Sequence, residues 1–359
     1  MTEMREKQHE ISRAYARLRH RKILLLLLLT AALVVLAIAA IFLGTSDIHF
    51  SGLIAYLFPN WGAGHGIAPL TGTQIVIVLT LRLPRIISAV LVGAAMGICG
   101  TVMQSTTGNV MASPFTTGIS SAAGLGAAIG ILFHPLGAGN TSVVVCAFGI
   151  AAINAAIVYG ITAAGNLGAG GMILVGVALN FLFSSANSLL QYVASEDQLS
   201  QIVHWSFGSL TGLTWTQIIL MAVTLGAAFV LFGKQAWSYN IMSSGGDESA
   251  KALGVNASRV RIASGVLVTI VSAVTISFVG VIGFVGIVAP HVARLLLGSE
   301  HRILLPASSI IGALLVLAAD SIGRTVISPV IIPVGVVLSI VGAPLFLYLI
   351  ISRRRRSSF

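Results

Sequence analysis

Between Ile23 and Leu43 only Thr30 interrupts a run of apolar side chains, and no charged residue falls inside it. About 20 residues of helix rise about 30 Å, the thickness of a bilayer's hydrocarbon core. In lipid every backbone N–H and C=O must be satisfied within the protein, so such a run crosses the membrane as a helix. Comparable runs follow at 86–104, 115–133, 142–164, 172–193, 215–232, 260–278, 281–297, 303–319 and 330–351. Charged residues make up 8% of the chain, against about 25% in soluble domains. The fold class implied is an all-α polytopic membrane protein with about ten transmembrane helices.

Charge placement sets the expected topology. The net charge is +10, but the cations cluster beside the ends of apolar runs, the pattern of positively charged cytoplasmic loops rather than of a nucleic-acid surface. An even number of spans with the N-terminus inside leaves all but Arg82, Arg85 and Arg324 of the 20 Lys/Arg on the inner face or at adjoining helix ends. Both termini are then cytoplasmic, and the chain divides into a basic tail (1–22), one transmembrane domain (23–351) with a polar loop at 233–259, and a second basic tail (352–359). The first tail reads as a short interfacial helix or as a disordered segment. Arg353–Arg356 suit contact with anionic lipid. Residues 45–81, with turn signals at Pro59-Asn60-Trp61-Gly62 and Gly64-His65-Gly66, read as an outer loop carrying one amphipathic helix at 51–58. Cys99 and Cys146 lie inside apolar runs and imply no disulfide framework. The first run lacks the small-residue cleavage site of a signal peptide.

The chemistry present is sparse. No G-x-x-x-x-G-K-[ST] occurs, so the chain does not cradle nucleotide phosphates itself. No ionisable residue falls in the middle of an expected span, which disfavours coupling to an ion gradient. The eight histidines are scattered, none with another His three or four residues away, so no metal site is expected. The stretch from Gly283 through Pro290-His291 and Arg294 to Arg302 and Pro306 places two apolar runs around a polar hinge. Gly280, Gly283, Gly286 and Pro290 invite a break in its first run.

Four local features are candidates for function. On the fifth span, Asn180, Ser184, Asn187 and Gln191 share one helical face. That face either bonds to other helices or walls an uncharged passage. Gly335, Ser339 and Gly342 form a milder counterpart on the last span. In the loop at 233–259, Gly245-Gly246 precede Asp247, Glu248, Ser249, Ala250, Lys251, Ala252 and Leu253, with Gly254 as a stop, the signature of one short helix. Such start and stop signals suit a helix presented to a soluble partner better than a plain connector. Arg82, Arg85 and Arg324 are either snorkelling cations or a patch that receives an acidic protein. The glycines of the second and third spans, Gly93, Gly97, Gly100, Gly118, Gly124, Gly126 and Gly130, read as helix-packing contacts.

Motif order adds a resemblance. Leu81-Arg82-Leu83-Pro84-Arg85, Asn109-Val110-Met111-Ala112-Ser113-Pro114, Gly118-Ile119-Ser120-Ser121, Gly176-Val177-Ala178 and Trp205-Ser206-Phe207-Gly208-Ser209-Leu210 occur in sequence. Ala250–Val255, Gly283–Arg302, Pro333-Val334-Gly335-Val336 and Gly342-Ala343-Pro344 complete the series. The whole resembles the permease subunits of ATP-binding-cassette importers for ferric siderophores, haem and cobalamin. The resemblance implies a non-enzymatic transport subunit of the cytoplasmic (inner) membrane that binds no cofactor itself, ATP being used by its partner. It implies a second permease copy, two cytoplasmic ATPases docked on the Asp247–Gly254 helix, and an extracytoplasmic substrate-binding protein docked on Arg82, Arg85 and Arg324. The path runs between the fifth and tenth spans (Asn180, Ser184, Asn187, Gln191, Gly335, Ser339). Asn109 and Met111 match the inner gate, and Asn166 and Leu167 a second gate loop. Val110 and Ser113 depart from the family's Asn-Pro-Leu-Ala-Asp-Pro turn. A ferric siderophore is the expected cargo, with haem or cobalamin as alternatives. A gradient-driven carrier is the rival class.

Overall fold

The computed structural model of the chain describes residues 2–44, 48–65, 67–137, 139–327 and 330–356, and their side chains except 2–16, 61, 62, 345 and 349–356. Helices account for the architecture, and no strand occurs among the described residues. Helix α1 (Thr2–Phe42) contains the first expected span, but the basic tail is neither a separate interfacial helix nor a disordered segment. It continues the same helix, whose 41 residues reach about 60 Å. Helix α2 (Phe50–Leu57) lies where the amphipathic helix was expected. The turn expected at Pro59–Gly62 is instead a short helix α3 (Pro59–Gly64), with proline at the first helical position, where its missing N–H costs nothing. Residue 66 of the neighbouring turn signal and the side chains of Arg353–Arg356 lie outside the described residues.

The expected loop also ends early. Helix α4 (Gly72–Val76), a π turn (Ile77–Arg82) and α5 (Leu83–Thr107) form one continuous helix. Thr71 and Gln74 start it with reciprocal capping bonds. Pro84 would break a regular helix, because its ring crowds the carbonyl four residues back. The π turn, with Leu83 N–H donating to the Val78 carbonyl, lets the helix run through it.

A 3-10 turn (Pro114–Thr117) leads into α6 (Ile119–Phe133), followed by α7 (Asn140–Ala164), α8 (Ala169–Val193), α9 (Glu196–Ser206), α10 (Trp215–Lys234) and α11 (Ala236–Ala252). The chain closes with α12 (Ala257–Val279), α13 (Val285–Leu297), α14 (His301–Thr325) and α15 (Val334–Arg356). Among the described residues seven helices are long and apolar enough to cross a membrane, and shorter apolar helices lie in α6, α13 and α15. Each of the ten expected spans therefore has a helix. The eighth is only partly helical: Gly280 (φ 74°) and Phe284 (φ 65°) hold the chain out of the helix, which then runs unbroken through Pro290. Its 13 residues cover about 20 Å, short of a full crossing.

Helix α5 is the hub, packed by α10, α11, α12, α13 and α14. Its glycines make this possible. A Cβ on Gly93 would stand 2.2 Å from the Gly312 carbonyl oxygen of α14, and one on Gly100 would strike Gly286 of α13. Backbones this close need residues without side chains. Helix α6 packs on α7 through Gly126 and Gly130 in the same way, and α8 lies against α6. Arg82 marks the distal end of the bundle and Thr107 the proximal end.

Candidate functional site

At the distal end the three arginines come together, but not as snorkelling cations. Arg82, Arg85 and Arg324 are 6%, 8% and 7% exposed and line one pocket of about 230 Å³ with Thr211. Asp320, fully buried, accepts from Arg85 Nε at 2.7 Å and faces Arg324 Nε at 3.0 Å. Arg85 also donates to Thr211 Oγ1 at 2.9 Å. Arg82 donates to the Ile41 carbonyl, and Arg324 to the carbonyls of Leu43 at 3.0 Å and Ala40 at 3.4 Å. The last carbonyls of α1 have no partner inside the helix and carry its negative dipole end, so two cations satisfy them. Three guanidiniums against one carboxylate leave an excess of positive charge.

The proximal end holds the short helix read from the sequence. Gly246 (φ 68°, ψ −163°) bends α11 there, and Asp247–Ala252 follows as a separate turn. Gly254 (φ 78°) closes it in a left-handed conformation that glycine adopts without strain. Val255 N–H donates to the Ala250 carbonyl at 2.8 Å and Gly254 N–H to that of Lys251 at 3.1 Å, the bond pair of a Schellman stop. Ala250 faces inward with Met242, Val255 and Ala257, whereas Asp247, Glu248, Ser249, Lys251 and Ala252 are exposed. Leu253 is also bare, at 58%. The rest of α11 is anchored: Tyr239, whose phenol pKa burial pushes up, bonds Ser264 Oγ of α12 at 2.8 Å.

Both expected gate turns lie near this helix. After Gly108, Asn109 Oδ1 accepts from Met111 N–H at 2.9 Å. This side-chain turn closes the segment where Val110 replaces the family's proline. Met111 and Val110 are exposed. Asn166 turns with φ 51° and lines a cleft of about 940 Å³ with Asp247, Lys251 and Arg259. Leu167 N–H donates to the Thr162 carbonyl at 3.0 Å. Asn109 and Met111 do not line that cleft.

The residues expected along the path divide. Gly335 and Ser339 line a groove of about 460 Å³ with Ser113, Phe207, Phe284 and Ile287. None of the α8 residues lines it. On α8, Asn180, Asn187 and Gln191 are half-buried while Ser184 is exposed. The Asn187 amide lies beside Gly124 of α6, and its Oδ1 has no partner among the described residues. The stripe therefore turns partly to a neighbouring helix and partly outward.

Several buried polar contacts escaped the sequence reading. Pro290 leaves the Gly286 carbonyl without its helical donor, and Gln104 Nε2 takes that place at 3.4 Å while its Oε1 accepts from Arg294. His301 Nδ1 pairs with Asn240 Oδ1 at 2.7 Å, and its Nε2 with Ser105 Oγ. Asn154 Nδ2 donates to the Thr117 carbonyl at 3.0 Å. Helix α9 was also missed, although Ser195 and Gln198 carry the capping-box spacing that announces it.

Comparison with known proteins finds relatives along most of the chain. The sequence matches the FecCD transport family over residues 23–352. The hemin transport system permease protein of Yersinia pestis is 36% identical over 284 residues, 78% of this chain and 84% of that protein. An Fe(3+)-citrate import system permease protein of Bacillus subtilis is 34% identical over 310 residues, 85% and 88% of the two chains. Among solved structures, an inward-facing metal-chelate type ABC transporter superposes with a TM-score of 0.80 at 28% identity, covering 91% of this chain and 99% of its own.

Proposed function

The chain belongs to the FecCD transport family, and we propose that within it this ABC importer permease carries a ferric siderophore across the cytoplasmic membrane. The bundle supplies the conduit and no covalent chemistry. Energy comes from two ATPase subunits that dock from the cytoplasm on the Asp247–Gly254 helix, which puts the proximal end and both termini inside. The observation that carries this assignment is that helix: set off by the Gly246 bend, stopped at Gly254, and exposing Leu253 with nothing among the described residues to cover it. A loop with no partner would need none of these.

At the distal end an extracytoplasmic binding protein meets the surplus charge of Arg82, Arg85 and Arg324 through acidic side chains. A second permease copy completes the path, since one chain leaves Asn180, Ser184, Asn187 and Gln191 apart from the Gly335–Ser339 groove. ATP binding shifts the docked helix, and the gates at Asn109–Met111 and Asn166–Leu167 open in turn with their distal counterpart. Support for a ferric siderophore comes from the relative named for Fe(3+)-citrate import and from the similar metal-chelate type transporter, whereas the hemin relative favours the haem alternative.

The test is uptake into proteoliposomes holding the permease, its ATPase and its binding protein. The probes are radio-iron-labelled ferric citrate, a ferric hydroxamate, hemin and cyanocobalamin. ATP-dependent accumulation of a ferric chelate, insensitive to ionophores, is expected. Preferential uptake of hemin or cyanocobalamin would replace the cargo assignment. Accumulation without the ATPase would overturn the energetic one.

A further inference from the structure

Arg261 sits near the start of α12, its fifth residue, with its side chain 3% exposed. Its contacts reach two different structures. Nε–H donates to the Thr106 carbonyl at 2.9 Å, and Nη2–H donates to Asp247 Oδ1 at 2.5 Å. Thr106 belongs to the last turn of α5, where carbonyls lack helical donors and the dipole favours a cation. Two residues later Gly108 ends α5, and the Asn109–Met111 turn begins. Asp247, half exposed, is the first residue beyond the Gly246 bend. Among the described residues Arg261 is its only ion-pair partner, although Lys251 and Arg259 share the cleft.

The backbone is a poor route between these two places. The Asp247–Ala252 helix hangs between Gly246 and Gly254, both at positive φ, and glycine joints yield easily. Its one inward side chain, Ala250, rests on a small apolar cluster with Met242, Val255 and Ala257. A planar guanidinium, by contrast, holds its two acceptors in a fixed relative direction. Being buried, it cannot exchange either partner for water without leaving a charge uncompensated.

We propose that Arg261 is a positioning residue that ties the Asp247–Ala252 helix to the end of α5, so that displacement of that helix reaches the Asn109–Met111 gate through this one side chain. The proposal rests on the assignment of that helix as the ATPase dock. It predicts that removing the Arg261 guanidinium, which lies outside the dock, separates what the nucleotide does from what the gate does while the ATPase stays bound.

The experiment uses the permease assembled with its ATPase and carrying Met111→Cys. The rate at which a charged maleimide labels residue 111 is read by peptide mass spectrometry, with and without ATP and vanadate. With Arg261 and Asp247 in place the rate is expected to change by at least about five-fold, the lower end of ordinary coupling between sites. In Asp247→Asn and Arg261→Gln the change should fall below about two-fold, and Arg261→Lys, which keeps the charge, should recover part of it. Asp247→Asn alters a half-exposed residue, so the test stands even if Arg261→Gln does not fold. A full five-fold change in both variants would overturn the relay and leave the docking assignment intact. Undiminished ATPase binding after joint replacement of Glu248, Lys251 and Leu253 by Ala would overturn the docking assignment, and the relay with it.

Discussion

Asp320 on α14 is fully buried and shared by Arg85 and Arg324. Replacing it with Ala leaves two interior guanidiniums facing each other with no carboxylate, and breaking a buried pair typically costs about 3–5 kcal/mol. Asp320→Ala is expected to melt at a clearly lower temperature in detergent, and Asp320→Asn to lose less because its amide oxygen still accepts. An unchanged melting temperature for Asp320→Ala would mean that the carboxylate does not hold the cluster. The sequence showed part of this. The spacing of Asp320 and Arg324 puts them on one helical face, and all three arginines stand out near helix ends. Their burial was not legible, because Arg85 meets Asp320 only where α5 packs on α14. The capping of α1 by Arg82 and Arg324 is equally a contact between segments far apart in the chain.

Single helices were legible where their signals are local. The short helix at Asp247 was read from two glycines, an acid and a glycine stop, and its Schellman bonds close within six residues. Asp247, an acid at the start of that helix, pairs with Arg261 of α12. The Pro84 region was misjudged, since a proline within an apolar run ordinarily starts a helix, and only the π turn lets the helix begin at Gly72. Helix contacts give a contrast between two glycines. Gly93→Ala puts a methyl 2.2 Å from the Gly312 oxygen, so α5 and α14 must separate, at about 1–3 kcal/mol as for other overpacked cores. Gly124→Ala meets its nearest atom, Asn187 Nδ2, at 3.9 Å, an ordinary contact, and gains about 1 kcal/mol of helix propensity at most. Thermal unfolding of the two variants should therefore shift in opposite directions or leave Gly124→Ala unmoved. Equal destabilisation would show that the close approach of α5 and α14 is not what Gly93 provides.

For the whole molecule the open question is what covers the faces that one chain leaves bare. Helices α1 and α8 both expose large apolar residues, Leu28 at 56% and Leu189 at 64% among them, but only α8 adds Ser184, Ser185 and Ser188 on its exposed surface. If that surface lines a wet path, Ser184→Cys in intact membranes should react with an impermeant maleimide while Leu28→Cys does not. Equal protection of both would place Ser184 against lipid or a packed helix. By itself the sequence determined the class of solvent, about ten apolar helical segments, the small-residue helix contacts and the short helix at Asp247. Each of these follows from hydrophobic length or from signals a few residues apart. Only the tertiary structure decided that the distal arginines are interior, that the eighth span opens on non-helical backbone, and that Arg261 bridges Asp247 to α5. Those outcomes depend on which faces of distant helices meet, and in an apolar chain nearly every face is equally able to be buried. The few charged groups reveal the arrangement because burial forces each of them to find a partner.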